Sequence, residues 1–126
     1  MSTIDLTESS FANTVTGGVT DSDIVLVDWW ASWCGPCRAF APIYEQAAVD
    51  NPDITFAKVD TEAEQNLAGA FQIQSIPTLM AFREGVLVFA QPGALPAAAL
   101  DDLISQVRGL DMSEVHAAVA TQKDAG

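Results

Sequence analysis

Apolar residues fall along this chain in two kinds of pattern. Residues 24–30, Ile-Val-Leu-Val-Asp-Trp-Trp, form a near-continuous β-branched and aromatic run broken by one acid. A run of that kind suits a central strand covered on both faces. Residues 54–59, 77–82 and 86–91 read as further strands, and residues 4–6 as a weaker one. Between these runs the period changes. Phe40, Ile43, Tyr44 and Ala47 stand at i, i+3, i+4 and i+7, the stripe of a helix with one buried face. Leu100, Leu103, Ile104 and Val107 form a second such stripe near the end.

Turn and cap residues complete the order. Thr7, Ser10 and residues 11–15 predict a short first helix that stops before Gly17 and Gly18. A second helix begins around Cys34 and closes at Asn51-Pro52-Asp53. Pro42 inside it clashes with the carbonyl of Arg38, which predicts a kink. Thr61-Glu62-Ala63-Glu64 has the form of a capping box. It places a third helix from Thr61 to about Phe71, with Ala63, Leu67 and Ala70 or Phe71 inward. Arg83-Glu84-Gly85 predicts a hairpin with Gly85 at positive φ. Pro96 opens the last regular helix and Gly109 stops it.

The order βαβαβαββα implies an α/β fold. Alternating strands and helices give parallel pairs, and the closing hairpin adds an antiparallel pair. The regular domain covers residues 1–108. Residues 109–126 are expected as a loosely ordered tail or short helix, capped by residues 111–114 and bearing Val115, Ala118 and Val119.

Charge narrows the partners. The 126 residues are 49% hydrophobic, and 17 acids against 5 bases give a formal net charge of −12. A chain of this length is one domain's worth and needs no cross-links to hold a core. Its bases, Arg38, Lys58, Arg83, Arg108 and Lys123, are scattered singly. They cannot neutralise a run of phosphates, which argues against nucleic acid and anionic membrane surfaces. No run approaches 18 apolar residues. The first ten residues hold neither a basic n-region nor an apolar leader, so a cytoplasmic location is expected. Two cysteines and one histidine are too few for a four-ligand zinc site, and no phosphate-loop pattern exists. No bound cofactor or metal is expected.

The two cysteines carry the chemistry. Cys34 and Cys37 are three apart, a spacing that random placement gives in about 1.6% of cases. The pair also falls where a buried-type strand gives way to a helix. There the free amide N–H groups and the helix dipole favour a thiolate on the first cysteine. The second lies within disulfide reach one turn along, and Gly35 and Pro36 constrain the turn. Cys34 is therefore expected to attack a partner's disulfide, and Cys37 to resolve the mixed disulfide.

Trp33-Cys34-Gly35-Pro36-Cys37 resembles the active-site signature of the thioredoxin family. Residues 27–33, Val-Asp-Trp-Trp-Ala-Ser-Trp, look like the family's second strand, and Ala57-Lys58-Val59-Asp60 like its third. Ser75-Ile76-Pro77-Thr78-Leu79 looks like its cis-proline segment, and Gly85 and Gly93 match its late glycines. The likeness covers about residues 3–108 in collinear order. It implies a thioredoxin fold, with a central mixed five-stranded sheet and about four helices.

The resemblance also implies roles. Asp28 matches a buried aspartate beneath the cysteines that helps deprotonate the second one. An unpaired carboxylate on an apolar strand is expensive, so a raised pKa is expected. Lys58 matches the lysine that pairs with it. Pro77 matches the cis-proline, and Ile76 would offer its backbone to an extended client segment. Trp33, Gly35, Pro36, Ile76 and Gly93 would form the apolar docking surface. Trp30 is expected beneath the active-site loop and Trp29 in core or back-face packing. Ser32, Arg38, Ser75 and Pro92 depart from the family's commoner residues.

The implied activity is protein-disulfide reduction by a monomeric electron carrier, with electrons from NADPH through a thioredoxin reductase. An oxidase or isomerase of the same fold would more often carry histidine at position 36. A cluster-bridging dimer would use the same two cysteines. The alternative of another class is a co-chaperone or binding module with residual redox activity, its tail contacting a partner.

Overall fold

The computed structural model describes residues 3–16 and 23–125; the expected stop at Gly17–Gly18 lies outside them. In chain order the elements are β1 (Thr3–Asp5), α1 (Glu8–Val15), β2 (Ile24–Trp30), α2 (Gly35–Asp50) and β3 (Thr55–Asp60). They continue as α3 (Gln65–Ala70), β4 (Thr78–Arg83), β5 (Val86–Pro92), α4 (Ala97–Arg108) and α5 (Met112–Ala125).

The strands form one sheet in the order β1-β3-β2-β4-β5. β3 runs parallel to both β1 and β2, while β4 is antiparallel to β2 and β5. The expected mixed five-stranded sheet is therefore present, and its centre is the most apolar run of the sequence. Alternation along β2 divides the core. Ile24 and Leu26 join Phe40, Tyr44, Phe56, Leu100 and Ile104 on the face covered by α2 and α4. Val25, Val27 and Trp29 join Phe11, Val59 and Phe82 on the other. Trp29 is fully buried there and stacks at tilted angles with Phe11 and Phe71. Truncating a buried aromatic such as Phe40 would cost ~3–5 kcal/mol.

The predicted stripe of α2 is buried at Phe40, Tyr44 and Ala47, with Ile43 packed at its margin. The helix is one continuous element through Pro42. The hairpin turn is tighter than expected. Arg83 pairs with Val86, and both Glu84 (φ 52°) and Gly85 (φ 80°) are left-handed, the backbone of a type I′ turn.

Two expectations need correction. Thr61 does not cap α3. Its N–H and hydroxyl both donate to the Trp30 carbonyl, at 2.9 and 3.1 Å, which ties residue 61 to the end of β2. Asp60 instead receives the N–H groups of Glu62 and Ala63 on its carboxylate. The helix then begins only at Gln65. Ala63 and Ala70 are consequently exposed, while Ala68 is buried and Leu67 and Phe71 pack against the core.

The second correction concerns the end of the chain. Residues 112–125 form a helix of 14 residues, longer than the short one expected and a fifth beside the expected four. Asp111 caps it by accepting from Ser113 and Glu114 N–H. Met112 is buried, and the half-buried Val115 and Val119 line one apolar groove with Val86, Leu87 and Val88 of β5. The Arg83 guanidinium donates to the carbonyls of Val107, Arg108 and Leu110. It thus satisfies the C-terminal carbonyls of α4 and fixes the turn into α5.

Candidate active site

The cysteine pair sits where β2 ends. Cys34 is extended (φ −86°, ψ 112°) and is the N-cap of α2. Its sulfur accepts the N–H of Cys37 at 3.2 Å, the role that a serine or aspartate oxygen plays at other helix starts. Pro36 lies in the first turn, where its missing N–H leaves no intrahelical bond unmade. The two cysteines are joined as a disulfide with Cα atoms 5.2 Å apart, so this is the oxidised state. The same N–H that now meets a disulfide sulfur would stabilise a Cys34 thiolate after reduction.

The facing loop comes from the start of β4. The Ile76–Pro77 peptide bond is cis. The Cys34 sulfur lies 3.7 Å from the Ile76 carbonyl oxygen, and Gly93 N–H donates to the Pro77 carbonyl at 2.8 Å. Ala31, Cys34 and Cys37 form a small apolar cluster with Trp30 and Ile76 against it. Around this cluster Trp33, Gly35, Pro36 and Gly93 are exposed, Ile76 is half-buried and Pro77 is buried. Trp33 is 65% exposed, the most exposed large hydrophobic side chain among the described residues. Its indole N–H donates to the Glu62 carboxylate at 2.7 Å.

Asp28 lies on the α2 face of β2, and its charge is felt by the Tyr44 hydroxyl. It is 1% exposed, and Oδ1 has no hydrogen-bond partner. Burial pushes its pKa from 3.8 up to about 7, and the positive charge of Lys58 pulls it part of the way back. Lys58 stands in register with Asp28 on β3. Its ammonium, however, lies 4.8 Å from the Trp30 ring centroid and makes no ion pair with Asp28. The pairing implied by the resemblance is thus a field across the strand register, without an ion pair.

The structure brings Cys34, Cys37, Pro77, Trp33, Gly35, Pro36, Ile76 and Gly93 to one end of the sheet. Asp28 and Lys58 lie one layer inside. Glu62 does not stand out in the sequence as a neighbour of Trp33, because its position fits a capping box. The available signal was its place two residues after β3, a strand whose C-terminal end adjoins that of β2. No group of three or more His, Cys, Asp or Glu among the described residues could hold a metal ion. No described helix is long and apolar enough to cross a membrane.

A family model described as Thioredoxin matches residues 2–106. The chain is 61% identical over 122 residues to a putative thioredoxin 2 of Streptomyces coelicolor, covering 97% of this chain and 88% of that protein. It is 42% identical over 106 residues to a thioredoxin of Mycobacterium tuberculosis, covering 83% and 89%. Among solved structures, a mutant thioredoxin from Halobacterium salinarum superposes with a TM-score of 0.75 at 33% identity, covering 87% and 95%. The oxidised mitochondrial thioredoxin 3 of Saccharomyces cerevisiae gives 0.73 at 27% identity, covering 83% and 95%.

Proposed function

This chain belongs to the thioredoxin family and is a thiol-disulfide oxidoreductase that reduces protein disulfides, and we propose the roles of its residues as follows. The observation that carries them is Cys34, N-cap of α2, joined to Cys37 and facing the Ile76 carbonyl. In the reduced protein Cys34 attacks a client disulfide as a thiolate. The client S–S bond breaks, one client sulfur leaves as a thiolate and takes up a proton, and a mixed disulfide forms. Cys37 then gives its proton to the Asp28 carboxylate and attacks the Cys34 sulfur. The Cys34–Cys37 disulfide closes, and the second client sulfur departs as a thiolate and is protonated. Two electrons have moved from the protein to the client.

Asp28 suits the proton step because burial holds its pKa at about 7, close to the working range of a general base. Lys58 sets how far that pKa rises. The client chain lies extended along Ile76 and Pro77, over the surface of Trp33, Gly35, Pro36 and Gly93. No cofactor is bound in this reading. Electrons return to the disulfide from NADPH through a thioredoxin reductase, in the cytoplasm, and the protein works as a monomer with its docking face free.

The test is insulin reduction in the presence of thioredoxin reductase and NADPH. Wild type turns over, Cys34→Ser does not, and Cys37→Ser accumulates mixed disulfides with its clients. No turnover by wild type would favour the co-chaperone reading. Mixed disulfides on Cys34→Ser instead would reverse the order of attack.

A further inference from the structure

The end of β3 and the loop that follows it carry three acids, Asp60, Glu62 and Glu64. Two of them have structural tasks. Asp60 accepts from the N–H groups of Glu62 and Ala63, and Glu64 accepts from Glu8 N–H at 2.9 Å. Glu62 instead reaches the active-site face and bonds the Trp33 indole at 2.7 Å. It is exposed, and among the described residues no cation forms an ion pair with it. Asp60 and the backbone of this loop therefore hold a carboxylate at the rim of the docking surface. Residues 29–42 hold no acid at all, so Glu62 brings a negative charge to an otherwise uncharged or basic stretch.

We propose that Glu62 is a specificity-determining residue: bound to Trp33, its carboxylate selects client disulfides that carry a lysine or arginine beside the reacting cysteine. The inference rests on the reading that clients dock over Trp33. One carboxylate oxygen holds the indole, and the second is open to a cation on the client. An acidic neighbour in the client meets repulsion at the same place. The hydrogen bond also keeps the Trp33 ring in one orientation, so the charge and the apolar contact are presented together. An exposed ion pair changes affinity by ~1.4- to 5-fold, enough to rank clients without excluding any.

The experiment uses one disulfide-containing peptide in three versions, with Lys, Gln or Glu next to the attacked cysteine. Reduction by the full-length protein is followed at about 0.1 M salt. Wild type should show a kcat/KM about threefold higher for the Lys peptide than for the Gln peptide, and lower again for the Glu peptide. In Glu62→Gln the amide oxygen can still accept from Trp33, so Trp33 fluorescence should be kept while the ranking collapses. Glu84→Gln removes the same unit of charge at the hairpin turn, at the opposite end of the sheet, and should keep the ranking. An unchanged ranking in Glu62→Gln would overturn the proposal and assign selectivity to the net charge of the whole surface. Equal loss in Glu62→Gln and Glu84→Gln would do the same. Failure of wild type to reduce any of the peptides would instead remove the docking reading on which the proposal stands.

Discussion

Asp28 and Lys58 are register partners on β2 and β3, yet the Lys58 ammonium lies over the Trp30 ring and Asp28 Oδ1 is left without a partner. A carboxylate in that position is almost wholly withdrawn from water and has no ion pair to neutralise it. Its proton is consequently held up to a pH of about 7. In the unfolded chain the same group titrates near 3.8. Between those values the native state binds the proton and the unfolded state does not. Stability therefore falls as pH rises through this window. Asp28→Asn removes the term. The oxidised variant should match wild type near pH 4 and become more stable than it by up to about 4 kcal/mol at pH 8. Denaturant midpoints measured across this range check it, and a pH-independent difference would contradict it. The same variant should slow Cys37 resolution, seen as mixed disulfides that persist with wild-type cysteines.

Lys58 acts on Asp28 through space, so its removal has a direction. Lys58→Met keeps much of the apolar stem but loses the cation. The Asp28 pKa should move further up, because the charge that opposed desolvation is gone. The variant also loses the half-buried cation–π contact with Trp30, worth ~0.5–2 kcal/mol. A pH titration of the Asp28 carboxyl by NMR, in wild type and variant, reads the shift. A downward movement would show that the lysine field is not the controlling influence.

The sequence exposes some of these relations and hides others for physical reasons. β2 is legible because burial on both faces demands a continuous apolar run, and Asp28 stands out by interrupting it. The α2 stripe is legible because its period is that of a one-sided helix. Thr61 misleads. Its local pattern is that of a cap, but the Trp30 carbonyl at the end of β2 competes for its donors and wins. Glu62 is obscured by the same pattern, since its contact with Trp33 spans 29 residues. The Lys58 side chain could not be placed from strand register alone, because the aromatic face of Trp30 draws it aside. The docking of α5 depends on Arg83, whose three carbonyl bonds reach residues 24 to 27 positions away.

That docking should be separable from activity. α5 lies against β5 beside the hairpin turn, and His116 meets Glu84 there at 2.7 Å. β2 runs from that end of the sheet to the active site at the other. Ending the chain after Gly109 exposes Val86 and Val88 and takes away Met112, Val115 and Val119. It also costs Arg83 one of its carbonyl partners. The truncated protein should lose about 2–4 kcal/mol of stability, judged from the half-buried apolar side chains removed. Its kcat/KM for insulin reduction should stay within about twofold of wild type. A large loss of activity in the folded, truncated protein would give the helix a part in docking.

The net charge of −12 sets the last expectation. The acids lie mostly on helix surfaces, turns and termini, while residues 29–42 carry none and include Arg38. A weakly charged apolar patch thus sits inside a strongly negative surface. Such a field steers partners with basic rims and raises their encounter rate at low ionic strength. Between about 0.01 and 0.5 M salt the Debye length falls from ~30 Å to ~4 Å, which removes the long-range part of the attraction. The association rate with a basic-rimmed protein client should then fall about tenfold. Reduction of 2-hydroxyethyl disulfide, which carries no charge, should hardly respond over the same range. This contrast separates steering from any effect of salt on the cysteines themselves. Equal salt dependence for both substrates would place the effect at the active site, and a flat response with the protein client would remove the steering role of the acidic surface.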